Sequence, residues 1–323
     1  MNKTFDLFET TESGFSDSSQ ATKTAINKSS ERKNKKREDQ YTAKDIEVLE
    51  GLEPVRKRPG MYIGGTDNQA LHHLFFEVLD NAMDEVIAGY ASKIDVTLNG
   101  DGSLSIRDDG RGIPIDPHPK FKDKSALEVI FTTLHSGGKF GGKAYNTSGG
   151  LHGVGISVVN ALSERCEVEV ARDDKVWCIV FSKGVLLEKL QPRDKKRGER
   201  GTKVTFYPDS NIFGKNNNFS PQIILKTLQD KAYLFQGVKI QWACDKSILK
   251  KHAHHNLDER ALFCFPEGLK NYLQDTLKSK EVITDNFLGN VSLAENTGKI
   301  EWAQEALICL ILSLCHIVMG LEL

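Results

Sequence analysis

Between residues 66 and 90, Leu71, Leu74, Phe75, Val78, Ala82, Met83 and Val86 recur at helical spacing, which predicts a long amphipathic helix. Strand-like alternation follows over 94–98 and 104–106, joined by the turn residues Asn99, Gly100, Asp101 and Gly102. Residues 125–134 read as a second helix, glycines crowd 137–155, and 156–162 return to a helical pattern. Alternation resumes over 168–170, 176–181 and 203–206. A charged, glycine-containing loop is expected over 192–201 and a polar turn over 211–218. A helix at 221–235 and a strand at 238–242 close this block, which puts a domain boundary near 245. Upstream, Asp45, Ile46, Glu47, Val48 and Leu49 carry a helix signal.

Composition adds limits. At 323 residues the chain has room for about two domains of roughly 150 residues each. Lys and Arg total 43 against 44 for Asp and Glu, so no global basic field marks a nucleic-acid binder. Residues 1–40 are polar and nearly free of apolar side chains after Phe15, which predicts a disordered tail. Its basic knot of Arg32, Lys33, Lys35, Lys36 and Arg37 reads most simply as a solvated linker. No signal-peptide core is present, and the apolar run 306–319 is too short for a bilayer span. The six cysteines form no CxxC pair, so reduced thiols and a cytoplasmic location without membrane contact are expected. His252, His254 and His255 lack a Cys or carboxylate at ligand spacing and read as a surface loop.

Four stretches could carry chemistry. On the 66–90 helix, His73, Glu77, Asn81 and Asp84 share one face. A solvated face explains them, yet Glu77 could polarise a water and Asn81 could ligate a hard cation. Asp108, Asp109, Gly110, Arg111 and Gly112 follow a strand directly. They form either a simple turn or a carboxylate poised to accept the amino hydrogen of adenine, with glycines letting backbone approach the base. Ser148, Gly149, Gly150, Leu151, His152, Gly153, Val154 and Gly155 run into the 156–162 helix, an arrangement suited to phosphate though neither the Rossmann nor the P-loop template is met. Upstream, Gly137, Gly138, Lys139, Phe140, Gly141 and Gly142 place a cation on an arm beside it. Gly201 and Thr202 at the start of the 203–206 strand gain meaning only beside the other three.

Together these stretches resemble the four boxes of the GHKL ATPases. Residues 51–62, 134–140 and 148–163 narrow the resemblance to the bacterial type II topoisomerase B subunits, over about residues 41–303. Glu53 and Pro54, the stretch 116–119 and the stretch 265–269 lean towards the topoisomerase IV branch over the gyrase branch. The resemblance implies a Bergerat-type α/β sandwich over 41–245, helices over a mixed sheet. Over 246–303 it implies only the start of a transducer, an α+β domain like domain 2 of ribosomal S5. Residues 304–323 are expected to be an atypical apolar tail, and a strand-passage domain is expected to be absent.

The resemblance also implies roles. Glu77 matches the general base and His73 the residue that orients it. Asn81 matches the Mg²⁺ ligand and Asp108 the adenine-reading carboxylate, with Gly112 and Thr202 lining the base pocket. Gly150, Leu151, His152, Gly153, Val154, Gly155 and Ile156 match the triphosphate loop, with Lys139 and Tyr145 in its lid. Tyr41 matches the arm residue that reaches the partner's nucleotide, and Arg172 falls at the pocket mouth. ATP and Mg²⁺ are the implied ligands. The implied partners are a second copy, joined by ATP-dependent arm exchange, a topoisomerase A subunit and double-stranded DNA. A gyrase B fragment, another GHKL ATPase of repair or chaperone type, and a nucleotide-binding remnant without turnover are the alternatives.

Overall fold

The computed structural model describes residues 46–138, 153–195, 198–251, 257–278, 287–292, 299–306 and 315–322. The chain divides into two units, Met1–Glu47 and Val48–Leu323, and of the first only Ile46 and Glu47 are described.

Helices α1 (Glu53–Lys57), α2 (Gly60–Ile63) and α3 (Asn68–Ile87) precede strands β1 (Lys93–Leu98) and β2 (Leu104–Asp108). A small hairpin, β3 (Pro117–His118) and β4 (Phe121–Ser125), leads into α4 (Ala126–Thr132), and α5 (Gly155–Ala161) follows. Next come β5 (Ser163–Arg172), β6 (Lys175–Ser182), β7 (Val185–Lys195), β8 (Gly201–Pro208), α6 (Ser210–Phe213), α7 (Pro221–Leu234) and β9 (Lys239–Cys244). The described chain closes with α8 (Lys246–Lys251), β10 (Arg260–Phe263), α9 (Leu269–Leu277), β11 (Phe287–Ser292), β12 (Lys299–Ala306) and β13 (Cys315–Glu322).

Eight strands form one sheet in the order β10-β9-β1-β2-β8-β5-β6-β7. Of the described strands in this sheet, only β1 and β9 are parallel neighbours, so the sheet is mixed. Its register sorts side chains by face, because successive residues of a strand point to opposite sides. Trp242, Val96, Ile106, Val204, Val168 and Ile179 lie in register across six strands, and all are buried. The next row, Gln241, Asp95, Arg107, Lys203 and Glu169, is polar, and Lys203 bonds Glu169 at 2.9 Å. Helices α3, α4, α5 and α7 cover the apolar face, giving the expected layer of helices over a mixed sheet.

Helix α3 is the spine of that layer. Asp67 caps it by accepting from the Ala70 amide at 2.9 Å, and Gly89, at φ 75°, lies just past its end. Leu71, Leu74, Phe75, Val78, Leu79, Ala82 and Met83 are buried beneath it, each worth about 1.5–3 kcal/mol except the smaller alanine. His72 is buried too, against expectation for a polar side chain. Its ring satisfies both nitrogens: Nδ1 donates to the Asn68 carbonyl (2.7 Å) and Nε2 accepts from the Ser220 amide (2.9 Å). Helix α5 is held at its far end by Arg56, which bonds the Ala161 carbonyl (2.6 Å) and the buried Asp209 carboxylate (2.7 Å). Burial opposes the charge on Asp209, but Arg56 and the Asn211 amide outweigh it and hold the carboxyl below its usual range.

The sequence reading is corrected in several places. Residues 46–50 form no helix; Ile46 and Val48 are exposed, and the first turn begins at Glu53, after Gly51 and with Pro54 in its first turn. The stretch 192–201, expected as a loop, starts inside β7, an edge strand whose register shifts against β6 break its alternation. Strand β10 lies past residue 245 yet pairs with β9 in the main sheet. Beyond it, α9 packs Leu269, Leu273 and Leu277 on Ala303 of a three-stranded antiparallel sheet, β11-β12-β13. Residues 304–306 continue β12, and the backbone of 315–322 pairs with that strand.

The His72 arrangement makes the fold acid-sensitive. Burial is the main influence and lowers its pKa below the ordinary value near 6.5, outweighing the backbone hydrogen bonds that raise it. The unfolded chain therefore binds the proton first. Stability from this site is complete above about pH 6.5 and is lost as pH falls towards the lowered folded value. Thermal melts should show that loss in the wild-type chain and less of it in His72→Asn. Equal pH slopes for the two would rule the assignment out.

Candidate active site

The polar face of α3 is composed differently from expectation. Glu77, Asn81 and Glu85, spaced by four, line one cavity of about 1220 Å³. Asp84 is only 1% exposed and is not part of the cavity wall. His73 stays on the exposed surface with its ring edge-on to Phe76 at 5.9 Å and is not part of the cavity wall. Asn81 Nδ2 donates to the Glu77 carbonyl at 2.8 Å, which fixes the side-chain amide and orients its oxygen.

Asp108 ends β2 and is 7% exposed. Its Oδ1 accepts from the Gly110 amide at 2.8 Å and from the Thr202 amide at 3.3 Å. Burial pushes its pKa up to about 6, with the charges of Glu85 and Asp109 adding to the rise and the two amides opposing it. Thr202 Oγ1 in turn accepts from the Ile113 amide at 3.2 Å, tying the loop after β2 to the start of β8. Two glycines make this approach possible. A Cβ on Gly201, at φ 118°, would stand 2.0 Å from the Asp108 carbonyl oxygen. A Cβ on Gly112, at φ 75°, would lie 3.1 Å from Val170 Cγ1. Arg172 Nη1 donates to the Gly112 carbonyl at 3.3 Å, which sets the guanidinium at the cavity wall.

The opposite wall is the start of α5. Gly153, Val154, Gly155 and Ile156 all line the cavity, and first-turn amides of a helix have no acceptor within it. Glu77 packs directly on this turn, since a Cβ on Gly155 would fall 1.7 Å from Glu77 Oε2. Glu77, Asn81, Asp108, Gly112, Gly153, Val154, Gly155, Ile156, Arg172 and Thr202 are thus brought together around one cavity. Tyr41, Lys139, Tyr145, Gly150, Leu151 and His152 lie outside the described residues, as do His252, His254 and His255.

Glu85 was missed as a site residue, and Arg111, named within the 108–112 stretch, was given no role of its own. Arg111 Nη2 and Nε bond Glu85 at 2.7 and 3.1 Å, and the Arg111 amide bonds the same carboxylate at 2.9 Å. Extending the row of Glu77 and Asn81 by one more step of four would have found Glu85.

Fold and site together define a class. Residues 66–212 match the family of histidine kinase-, DNA gyrase B-, and HSP90-like ATPases, and the domain has the GHKL ATPase fold. The architecture is shared with the 43K ATPase domain of Thermus thermophilus gyrase B, solved with an aminocoumarin, at a TM-score of 0.68 and 40% identity. That likeness covers 79% of this chain and 62% of the other. More particular are relatives named as the B subunit of DNA topoisomerase 4. The protein from Bartonella bacilliformis is 56% identical over 269 residues, covering 83% of this chain and 39% of its own. The one from Caulobacter vibrioides is 56% identical over 268 residues, 82% of this chain and 37% of its own. The one from Staphylococcus aureus is 45% identical over 249 residues, 77% of this chain and 36% of its own. These relatives bear out the resemblance to type II topoisomerase B subunits and its lean towards topoisomerase IV. The chain spans about two fifths of their length.

Gly201 gives a check on the geometry that needs no ligand. Gly201→Ala sets a methyl against a backbone oxygen at positive φ, so a loss on the order of 2 kcal/mol or more is expected. Melting should fall by several degrees. An unchanged melting temperature would show that β8 does not approach Asp108 this closely.

Proposed function

We propose that this cavity binds ATP with Mg²⁺ and that the chain is the ATPase module of a topoisomerase IV B subunit. The observation that carries the reading is the convergence of Glu77, Asn81, Asp108, Thr202 and the start of α5 on one cavity. In this reading the buried Asp108 carboxylate accepts the adenine amino hydrogen, and Gly112 and Thr202 flank the base. The start of α5 and the residues before it, 150–154, take the phosphates, with Lys139 and Tyr145 closing over them. Arg172 stands at the mouth.

Asn81 suits the metal. Among the described residues no cluster of three His, Cys, Asp or Glu side chains could hold an ion. Mg²⁺ needs no such cluster, since it keeps several waters and takes its other ligands from phosphates. One oriented amide oxygen beside the cavity is therefore a fitting donor set. The ion, when bound, neutralises charge on the phosphates. Glu77 acts as general base: it takes a proton from the water that attacks the γ-phosphorus. The orienting role that the resemblance gives His73 draws no support from its exposed position outside the cavity wall. The chain's work is positioning and proton removal, as phosphoryl transfer demands little else from a protein.

The wider reading follows from the relatives. We assign residues 41–245 to the ATPase domain and 246–303 to the start of a transducer, with β10 as the strand it lends to the main sheet. In the whole protein, ATP would join two copies through arms bearing Tyr41, and an A subunit and double-stranded DNA would complete the assembly. We place the protein in the cytoplasm; among the described residues no helix is long and apolar enough to cross a membrane.

Two substitutions test the site. Glu77→Ala should leave ATP affinity within several-fold while lowering hydrolysis by the full-length protein by about 10²–10⁴. Binding lost in step with turnover would make Glu77 structural instead. Asp108→Asn should weaken ATP binding by about 1–3 kcal/mol, the scale of a charge-assisted hydrogen bond. Equal affinity of the wild-type chain for ATP and GTP would remove Asp108 from the role of base reader.

A further inference from the structure

Gly110 sits between two acids. A Cβ placed there would lie 2.8 Å from Asp108 Oδ1 and 2.8 Å from Glu85 Oε2, so carboxylates from β2 and α3 converge on one point. Like charges this close raise each other's proton affinity. Asp108 is a charged, acceptor-only partner only while it is ionised, since protonation weakens its acceptors and turns one oxygen into a donor, so the charge on Glu85 has to be offset nearby.

Arg111 does this through a two-pronged pair with Glu85 at 2.7 and 3.1 Å. What holds Arg111 is Tyr90, in the loop after α3. The guanidinium carbon lies 3.8 Å from the centre of the Tyr90 ring, which shields one face of the cation from water. Tyr90 is itself anchored: its amide and that of Ala91 both donate to the Glu85 carbonyl at 2.9 Å, and Arg200 bonds its own carbonyl at 2.9 Å. The residue is 42% exposed, so it adds little to the core.

We propose that Tyr90 is a positioning residue for base recognition: by holding Arg111 against Glu85, it keeps Asp108 ionised and able to accept from an adenine amino group at neutral pH. The proposal rests on the reading of Asp108 given above. The other charged or titratable groups on the cavity are Glu77 from α3, His118 from β3, Arg172 from the end of β5 with Asp173 and Asp174 after it, and Glu199 and Arg200 before β8, with Asp109 beside Asp108 in its own loop. None of these stacks on Tyr90 in the way Arg111 does.

The test uses adenosine, which carries no titratable phosphate, bound to the intact chain between about pH 5 and about pH 8. In parallel, the Asp108 carboxyl carbon is followed by NMR in the free protein. In the wild type, affinity should fall as pH drops through about 6, because protonation replaces a charged acceptor by a weaker neutral one. Tyr90→Ala should raise that midpoint by about one pH unit. Tyr90→Phe, which keeps the ring face, should leave it in place, and Arg111→Met should move it at least as far as Tyr90→Ala. An unchanged midpoint in Tyr90→Ala overturns the proposal. Absence of adenosine binding in the wild type, or binding untouched by Asp108→Asn, overturns the reading of the site instead.

Discussion

A carboxylate buried at the end of a strand has to find backbone amides, and the amides that serve Asp108 fix the geometry around it. One comes from Gly110 in its own loop and the other from Thr202 at the head of β8. Bringing β8 that close leaves no room for a side chain at Gly201, and folding the loop back leaves none at Gly110 or Gly112. Gly110 and Gly201 are therefore consequences of one buried charge, while Gly112 is set by its positive φ and its approach to Val170. A second consequence is electrostatic, because the same convergence crowds Glu85 against Asp108 and makes Arg111 necessary.

Helix α3 connects this constraint to the rest of the domain. One side packs Leu74, Phe75, Leu79 and Met83 on the sheet, and the other presents Glu77, Asn81 and Glu85. The helix is pinned at His72 and by the ion pair of Asp80 with Lys231 at 2.8 Å, both of which tie it to the segment around α7. Helix α5, which forms the facing wall, is fixed at its far end by Arg56 and to α4 by Asn160, whose amide bonds the Phe131 carbonyl at 2.9 Å. The site is thus built on two helices locked from behind, which is how a cavity keeps its shape with polar groups on its walls.

Much of this was legible in the sequence, and the exceptions share a cause. The long apolar period of α3 and the alternation of β1, β2, β5, β6 and β8 follow from packing one face on a common core, so periodicity found them. Strand β7 escaped because it lies at an edge and bulges against β6, where no regular alternation is required. The apparent helix at 45–49 failed because Ile46 and Val48 are left exposed, with no burial to stabilise a short helix. In the site, Glu77, Asn81 and Asp108 stood out by residue type and spacing. Glu85 lay one further step of four along the same row, whereas Tyr90 did not stand out, because its contact with Arg111 is one that no local pattern encodes. Asp84 misled for the converse reason: its spacing matched, but the side chain is buried away from the cavity wall.

The division of labour within the cavity has a thermodynamic logic on the proposed reading. Residues that would read the base are buried, hydrogen-bonded and held by glycine-dependent close contacts, whereas Glu77 and Asn81 are half-exposed on a helix surface. A site of the first kind discriminates strongly, because a wrong ligand leaves a buried polar group unpaired. Guanine would bring a carbonyl oxygen to the place of the adenine amino group and set acceptor against acceptor at Asp108. Rejection would then come from the cost of an unsatisfied carboxylate more than from any lost attraction. That cost exists only while Asp108 is charged. Selectivity for the base therefore depends on the same cation, stacked on a half-exposed tyrosine, that keeps two neighbouring acids from sharing a proton.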